Sequence, residues 1–229
     1  MKKIACVHTG MGALPGIIEK LFTKAVGEAK FYHILDSGLI GDLVEAGEMN
    51  AQLESRLEAL FTAAAGIRPD LLICTCSSIG EEAEAFASNH PEVKVLRIDY
   101  PMAEYAAQKA GKVAVLATLS TTVEPSVRLV RRLAETAGRE VEVVSAVVPG
   151  AFAAMRNGDM EGAKEAVVKT AGELCSDADM ILLAQASMSN FTDLLRETLG
   201  DVVILDSPGT CAGYLKKYCE EGGLWSGNY

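Results

Sequence analysis

Short apolar runs rich in Val, Ile and Leu alternate along the chain with segments whose apolar positions repeat at a helical period. Such runs, bounded by turn residues, are typical of buried parallel strands. They occur at Lys3–Val7, Lys30–Leu35, Asp70–Cys74, Lys94–Ile98, Lys112–Leu116, Val141–Val147, Met180–Leu183 and Val202–Leu205. The predicted helices include Ala51–Ala65, Thr122–Thr136, Met160–Leu174, Asn190–Leu199 and a last one at Gly209–Cys219. The alternation predicts an α/β fold with parallel sheets.

The sequence contains an internal duplication. The similar pairs of segments are Lys3–Thr9 with Lys112–Thr118, Asp70–Cys74 with Asp179–Leu183, and Ile98–Pro101 with Leu205–Pro208. The first two pairs are offset by 109 residues and the third by 107, which makes Asp99 the expected counterpart of Asp206. Segments held in nearly constant register predict two pseudo-symmetric halves.

The duplication sets the expected domains and the place of a site. We expect a first α/β domain of residues 1–100 with a C-terminal helix in 209–229, and a second of residues 101–208. Ligands of open parallel sheets bind beyond the carboxyl ends of the strands. The residues that follow the predicted strands are rich in small hydroxyls and thiols, which suits a small polar ligand in a cleft between the halves.

Composition and charge exclude several classes of function. The net charge is −10, whereas nucleic-acid binding needs clustered Lys and Arg. There is no apolar stretch of about 18 residues, so we expect no membrane span. The apolar run near Met1 is too short for a signal peptide, and we therefore expect a cytoplasmic protein.

Six cysteines are present: Cys6, Cys74, Cys76, Cys175, Cys211 and Cys219. Without an export signal, reduced thiols are the expectation. The spacing offers one Cys-x-Cys and no Cys-x-x-Cys, and the three histidines fall in no ligand pattern, so the sequence predicts no metal site.

Four motifs, in order, resemble the aspartate/glutamate/hydantoin racemase superfamily over essentially the whole chain. A strand ends in His8-Thr9, and Thr75-Cys76-Ser77-Ser78 is similar to the family's Ala-Cys-Asn-Thr. The segment Ala117–Val123 is similar to Gly-Thr-x-x-Thr-Val, and Leu183–Met188 stands where the family usually has Gly-Cys-Thr-His.

The resemblance implies two pseudo-symmetric α/β domains, a small carboxylate or amino-acid substrate, no cofactor, and commonly a homodimer. It also implies that one thiol removes the α-proton while a second returns a proton to the opposite face. A thiol suits this role because a helix N-terminus or hydroxyl donors stabilise thiolate near neutral pH.

One departure from the family bears on the mechanism. The 109-residue offset places Gln185 opposite Cys76 and Ser187 opposite Ser78, so the second cysteine is absent. A glutamine side chain cannot exchange a proton at neutral pH. Three hypotheses remain: a racemase with another second acid, a single-cysteine lyase, decarboxylase or cis-trans isomerase, and a non-catalytic carboxylate-binding protein. Cys211, after the last strand, is a candidate for the missing thiol.

Cys76 is the predicted catalytic residue. The predicted substrate-binding residues are His8, Thr9, Thr75, Ser77, Ser78, Asp99, Thr118, Thr121, Thr122, Gln185 and Ser187. Simpler roles stand beside these: N-capping explains at least one of the three threonines, and Asp99 before a proline can be structural. Arg97 is a further candidate, as a charged side chain that contacts the end of the ligand away from the reacting carbon.

Overall fold

Eight strands alternate with helices in the part of the chain that the computed structural model describes, which is residues 1–10, 12–174 and 177–220. Contacts divide the chain into two units, Met1–Ile98 with the residues from Cys211 onward, and Asp99–Thr210. Cys175 and the last part of the predicted tail, residues 221–229, lie outside the described residues.

The first unit is built on one four-stranded parallel sheet of order β2-β1-β3-β4. Its elements are β1 (Lys2–His8), α1 (Leu14–Val26), β2 (Ala29–Leu35), α2 (Leu39–Ala46), α3 (Ala51–Gly66), β3 (Leu71–Cys74), a 3₁₀ turn (Ser77–Ile79), α4 (Gly80–Asn89) and β4 (Val95–Arg97). All four residues of β3 are buried, because helices cover both faces of the sheet.

The second unit has a sheet of the same kind, of order β6-β5-β7-β8. Its elements are α5 (Tyr100–Lys109), β5 (Lys112–Ala117), α6 (Ser120–Thr136), β6 (Glu142–Val147), α7 (Ala151–Arg156), α8 (Met160–Leu174), β7 (Met180–Leu183), a 3₁₀ turn (Ala186–Phe191), α9 (Thr192–Leu199) and β8 (Val203–Asp206). The last helix, α10 (Ser207–Glu220), begins here and belongs to the first unit from Cys211.

Strand register confirms the predicted duplication. Ile4 of β1 lies beside Leu71 of β3, and 109 residues further on Val113 of β5 lies beside Met180 of β7. The predicted α/β architecture of two pseudo-symmetric halves is therefore correct. None of the described helices combines the length and apolar character that crossing a membrane requires.

The strands and the helices of the two halves are in different registers at this point. Cys74 pairs with Arg97, and its counterpart Leu183 pairs with Asp206, so strand pairing keeps the 109-residue offset and places Arg97 opposite Asp206. Helix α5 begins at Tyr100 and α10 at Ser207, which keeps the predicted offset of 107 and leaves Asp99 and Asp206 in equivalent places just before a helix. The first half therefore has two more residues between its last strand and the helix that follows.

An aspartate fixes the start of the central strand in each sheet. The Asp70 carboxylate accepts a hydrogen bond from the Lys3 backbone N–H at 2.7 Å. Its counterpart Asp179 accepts from the backbone N–H groups of Gly111 and Lys112 at 2.7 and 2.8 Å. Donation by Lys112, and then by Gly111, holds the pKa of the Asp179 carboxyl below its usual range.

We predict that Asp179→Asn lowers the urea midpoint of unfolding at pH 7. Because the folded-state pKa is depressed, the stabilisation is complete above the unfolded pKa of about 3.9 and is lost as the pH falls through the lower folded value. The difference between wild type and variant should therefore shrink below about pH 4. The matched control, Asp177→Asn, removes an exposed ion pair with Lys112 and should change the midpoint little. A difference that is independent of pH would contradict the prediction.

Candidate active site

Cys76 lies at the carboxyl edge of the first sheet, two residues beyond the end of β3. Its backbone is extended, with φ −127° and ψ 114°, and the 3₁₀ turn that leads into α4 follows at once. The Ile79 N–H closes this turn by donating to the Cys76 carbonyl at 3.2 Å. The Cys76 side chain is partly exposed. A thiol at a strand-to-helix turn that solvent reaches can bind and act on a ligand.

The other described cysteines occupy different environments. Cys74 is buried, and its thiol donates to the Cys76 carbonyl at 3.4 Å, which supports the turn. Cys211 is completely buried in α10, as is usual for a cysteine that packs as a small apolar residue. Cys219 is partly exposed near the end of α10, where its sulfur accepts from the Lys2 ammonium at 3.0 Å.

Three residues with hydroxyl groups flank Cys76 in the sequence. Thr75, Ser77 and Ser78 are all buried. The Thr75 hydroxyl donates to the Val7 carbonyl at 2.8 Å. The Ser77 hydroxyl is buried and has no hydrogen-bond partner among the described residues. An unsatisfied buried hydroxyl costs about 1–3 kcal/mol, so Ser77 is the one that gains most from a ligand.

His8 and Thr9, at the end of β1, lie beside this turn. His8 is 1% exposed, and its ring nitrogens lie 2.8 Å from the Thr75 hydroxyl and 2.9 Å from His33 Nδ1. Burial, followed by the nearby His33, lowers the pKa of His8 to about 4. The ring is therefore neutral at pH 7, and both its nitrogens already have partners within the unit. Thr9 is buried, and its carbonyl accepts from the Ile40 N–H at 3.2 Å.

Gln185 occupies the equivalent turn of the second unit. Its backbone is also extended, with φ −112° and ψ 137°, and a 3₁₀ turn follows. Its side-chain oxygen accepts hydrogen bonds from the Thr118 backbone N–H and, at 2.8 Å, from the Thr118 hydroxyl. The structure therefore brings these two predicted site residues together. The Gln185 amide nitrogen makes no hydrogen bond to any described residue, so its two N–H donors are available.

The remaining predicted residues also lie in the second unit. Thr122 is completely buried in the first turn of α6. The Thr121 hydroxyl is buried without a partner in the described part of the chain. Ser187 is half-buried, and its carbonyl accepts from the Asn190 amide at 3.3 Å. Asp99 is 1% exposed at the N-cap of α5, where its carboxylate makes no capping hydrogen bond.

Sequence reasoning missed a polar cluster in the first unit. Potential ligand atoms of Cys6, His8 and His33 all lie within 4.8 Å of one another. Alternation along β1 could have placed Cys6 and His8 on one face. His33 gave no such signal, because its position depends on how β2 pairs with β1.

A family model described as Asp/Glu/Hydantoin racemase matches residues 18–212. The chain belongs to this racemase family. The predicted resemblance is confirmed, and membership indicates an enzyme of the racemase or isomerase type. No curated protein sequence matches the chain.

Solved racemase structures share the fold. Glutamate racemase from Francisella tularensis, in complex with D-glutamate, superposes with a TM-score of 0.74 at 15% identity, covering 99% of this chain and 85% of that one. A glutamate racemase isoform from Bacillus anthracis superposes with a TM-score of 0.72 at 16% identity, covering 99% of this chain and 85% of that one. Aspartate racemase from Picrophilus torridus superposes with a TM-score of 0.63 at 17% identity, covering 95% of this chain and 94% of that one. At these identities the likeness shows the fold.

In this racemase family member, a buried arginine packs against the start of the helix that follows the Cys76 turn. Arg97 ends β4 beside Cys74, is 1% exposed, and pairs with Glu84 of α4 at 3.1 Å. Its burial and its ion pair with Glu84 give Arg97 a structural role. A Cβ added at Gly80, the first residue of α4, would lie 2.3 Å from the Arg97 guanidinium carbon. The turn can pack here only because residue 80 has no side chain.

We predict that Gly80→Ala lowers the free energy of unfolding by about 1–3 kcal/mol. The backbone φ of −67° accepts alanine, so the cost is steric: the guanidinium must move, and its buried pair with Glu84 is disturbed. Urea denaturation measures the change. Gly172→Ala, inside α8 where an added Cβ meets nothing within 4 Å, is the control and should be neutral or stabilising by up to about 1 kcal/mol. Equal effects of the two substitutions would contradict this explanation.

Proposed function

We propose that this chain is a cofactor-independent amino-acid racemase in which the Cys76 thiolate exchanges the α-proton of a small carboxylate. The observation that carries the proposal is the position of Cys76 in a chain of this family. Within the described residues, it is the partly exposed thiol that follows a central strand. Cys74 and Cys211 are buried, and Cys219 lies near the end of α10.

The surroundings of Cys76 suit a substrate carboxylate. Backbone N–H groups at the start of a turn and helix carry partial positive charge, which stabilises both a thiolate and a bound anion. The buried Ser77 hydroxyl, unsatisfied among the described residues, supplies a further donor. Hydrogen-bond donors held in place before the reaction stabilise the negative charge that develops on the carboxylate as the α-carbon loses its proton.

The reaction balances without an oxidant or a reductant. The Cys76 thiolate takes the proton from the α-carbon, the C–H electron pair moves into the adjacent carboxylate, and an enolate-like intermediate forms. A second acid then gives a proton to the opposite face, and the Cys76 thiol later returns its own proton to solvent. The second acid is not Gln185, because the N–H groups of an amide are far too weakly acidic to give up a proton near neutral pH.

Gln185 is proposed as a substrate-binding residue of the second half. Its oxygen is held by Thr118, so its amide N–H groups can donate to a substrate oxygen. Asp99, Thr121, Thr122 and Ser187 remain predicted contacts. The homodimer and the cytoplasmic location also stay predictions.

We predict that Cys76→Ser abolishes exchange of the α-proton, with a loss of at least about 100-fold. A serine hydroxyl is too weak an acid to supply the base at neutral pH. The measurement follows L- and D-aspartate and L- and D-glutamate in D₂O by NMR, together with optical rotation. Cα deuteration with loss of rotation is the signature of a racemase.

The control is Cys219→Ser, which removes another partly exposed thiol and should leave exchange unchanged. Exchange that survives in Cys76→Ser would exclude Cys76 as the base. Deuteration with retained configuration would instead indicate a single-base enzyme. Binding without any exchange in the wild type would indicate the non-catalytic alternative.

We predict that Gln185→Glu raises KM by about 10–100-fold with a smaller change in kcat. The variant keeps the acceptor that Thr118 contacts but replaces the donating amide with a second carboxylate oxygen. Loss of a hydrogen bond to a charged group corresponds to about 1.5–3 kcal/mol, or one to two decades of affinity. Gln108→Glu, an exposed change of equal charge on α5, is the control. An unchanged KM in Gln185→Glu would remove position 185 from the site.

A further inference from the structure

The cluster of Cys6, His8 and His33 lies on one face of the first sheet. Cys6 and His8 are two residues apart on β1, so their side chains point to the same side. His33 of β2 pairs directly with Cys6 across the two strands. Cys6 and His8 are buried, whereas the His33 side chain is 22% exposed.

Hydrogen bonds fix which nitrogen of each ring faces the centre of the cluster. The Thr75 hydroxyl donates to the Val7 carbonyl, so it accepts from His8 Nδ1–H at 2.8 Å and leaves His8 Nε2 without a proton. The Glu19 carboxylate lies 3.2 Å from His33 Nε2 and accepts a hydrogen bond from its N–H, which leaves Nδ1 of a neutral His33 ring without a proton. The two inner nitrogens are 2.9 Å apart. Two lone pairs facing each other at this distance need a cation between them, either a proton or a metal ion.

We propose that Cys6, His8 and His33 bind a divalent transition metal ion of the zinc type, with water as the fourth ligand. A thiolate and two imidazoles are a donor set that zinc prefers over magnesium or calcium. The outer nitrogens match the usual pattern of metal sites, in which each ligating histidine donates its second N–H to an oxygen. Thr75 and Glu19 are those outer partners.

The separation of the two inner nitrogens fits zinc after a small adjustment, and the Cys6 sulfur lies within 4.8 Å of both. Zn–N bonds of about 2.0–2.1 Å at tetrahedral angles place two nitrogens about 3.3 Å apart. The inner nitrogens must therefore separate by about 0.4 Å from 2.9 Å, which a small rotation of the His33 ring provides. Because His33 is partly exposed, its side of the cluster can admit both the ion and the water.

Metal binding requires loss of one proton from Cys6. Burial, followed by the charge of Glu19, raises the pKa of the Cys6 thiol to about 12, so the metal-free cysteine is protonated. When the ion enters, it replaces the proton between the two histidine nitrogens, the S–H bond of Cys6 breaks, the sulfur electron pair forms the bond to the metal, and both protons leave to solvent. No change of oxidation state is involved.

The duplication shows that the fold does not need these polar side chains. The counterparts of Cys6 and His8 in the second half are Val115 and Ala117, both completely buried. The residue that pairs with Val115 is Ser145. The same strand pairing is therefore built in the second half without a cysteine or a histidine, so the cluster in the first half has a role beyond packing.

The test uses the full chain, treated with a chelator and then supplied with Zn²⁺ or Co²⁺. We expect about one ion per chain by elemental analysis, and an unfolding temperature that rises with Zn²⁺. The Co²⁺ form should show a thiolate-to-cobalt charge-transfer band and the intense visible bands of a tetrahedral site. A wild-type chain that retains neither ion, or Co²⁺ bound without a thiolate band, would overturn the proposal and leave a proton shared by the two histidines.

Variants separate this cluster from other thiols and imidazoles. Cys6→Ala should remove the charge-transfer band, and His33→Gln should reduce zinc affinity by more than 100-fold. Glu19→Ala changes an exposed residue of α1, and should weaken binding by about 10–100-fold through loss of the outer hydrogen bond. The controls are Cys219→Ser, His90→Gln and Glu45→Ala, which should bind as wild type does. Metal binding that is unchanged in Cys6→Ala and Glu19→Ala would place the ion elsewhere and overturn the proposal.

Discussion

Parallel pairing of the two central strands is the interaction on which both halves depend. In the first sheet it continues one residue past the strands, where the Thr75 N–H donates to the Val7 carbonyl at 3.0 Å. The same bond joins Ala184 to Leu116 in the second sheet at 2.9 Å. Each bond anchors the residue before the strand-to-helix turn. The side chain of Cys76, and of its counterpart, is therefore presented at the carboxyl edge by the backbone alone.

Most of the fold could be predicted because its signals are local. Eight apolar runs and the 109-residue offset identify the strands and the duplication, and Met180–Leu183 and Met160–Leu174 have the predicted bounds. Helix α6 begins at Ser120 rather than Thr122, since the extended backbone of Leu119 ends just before it. Such differences of one or two residues reflect how helix ends are closed and leave the topology unchanged.

What could not be predicted depends on contacts between distant residues. An arginine inside an apolar run gives no sign of its partner, and Glu84, which holds Arg97, is 13 residues away on another element. His33 likewise acquires a role only when β2 pairs with β1 in one register. The two extra residues between β4 and α5 gave no signal for the same reason, because sequence similarity at a helix start does not report which backbone positions pair in the strand before it.

Duplication has preserved the backbone of the two turns while their chemistry has diverged. Both Cys76 and Gln185 are extended residues before a 3₁₀ turn. Cys76 offers a thiol, whereas Gln185 offers an amide whose oxygen is held by Thr118. Thr75 links the remaining polar features of the first half: its hydroxyl contacts His8 of the cluster, and its neighbour in the chain is the thiol. A change in the position of the His8 ring must therefore act on the residue that anchors Cys76, which makes the cluster and the proposed catalytic turn parts of one hydrogen-bonded structure.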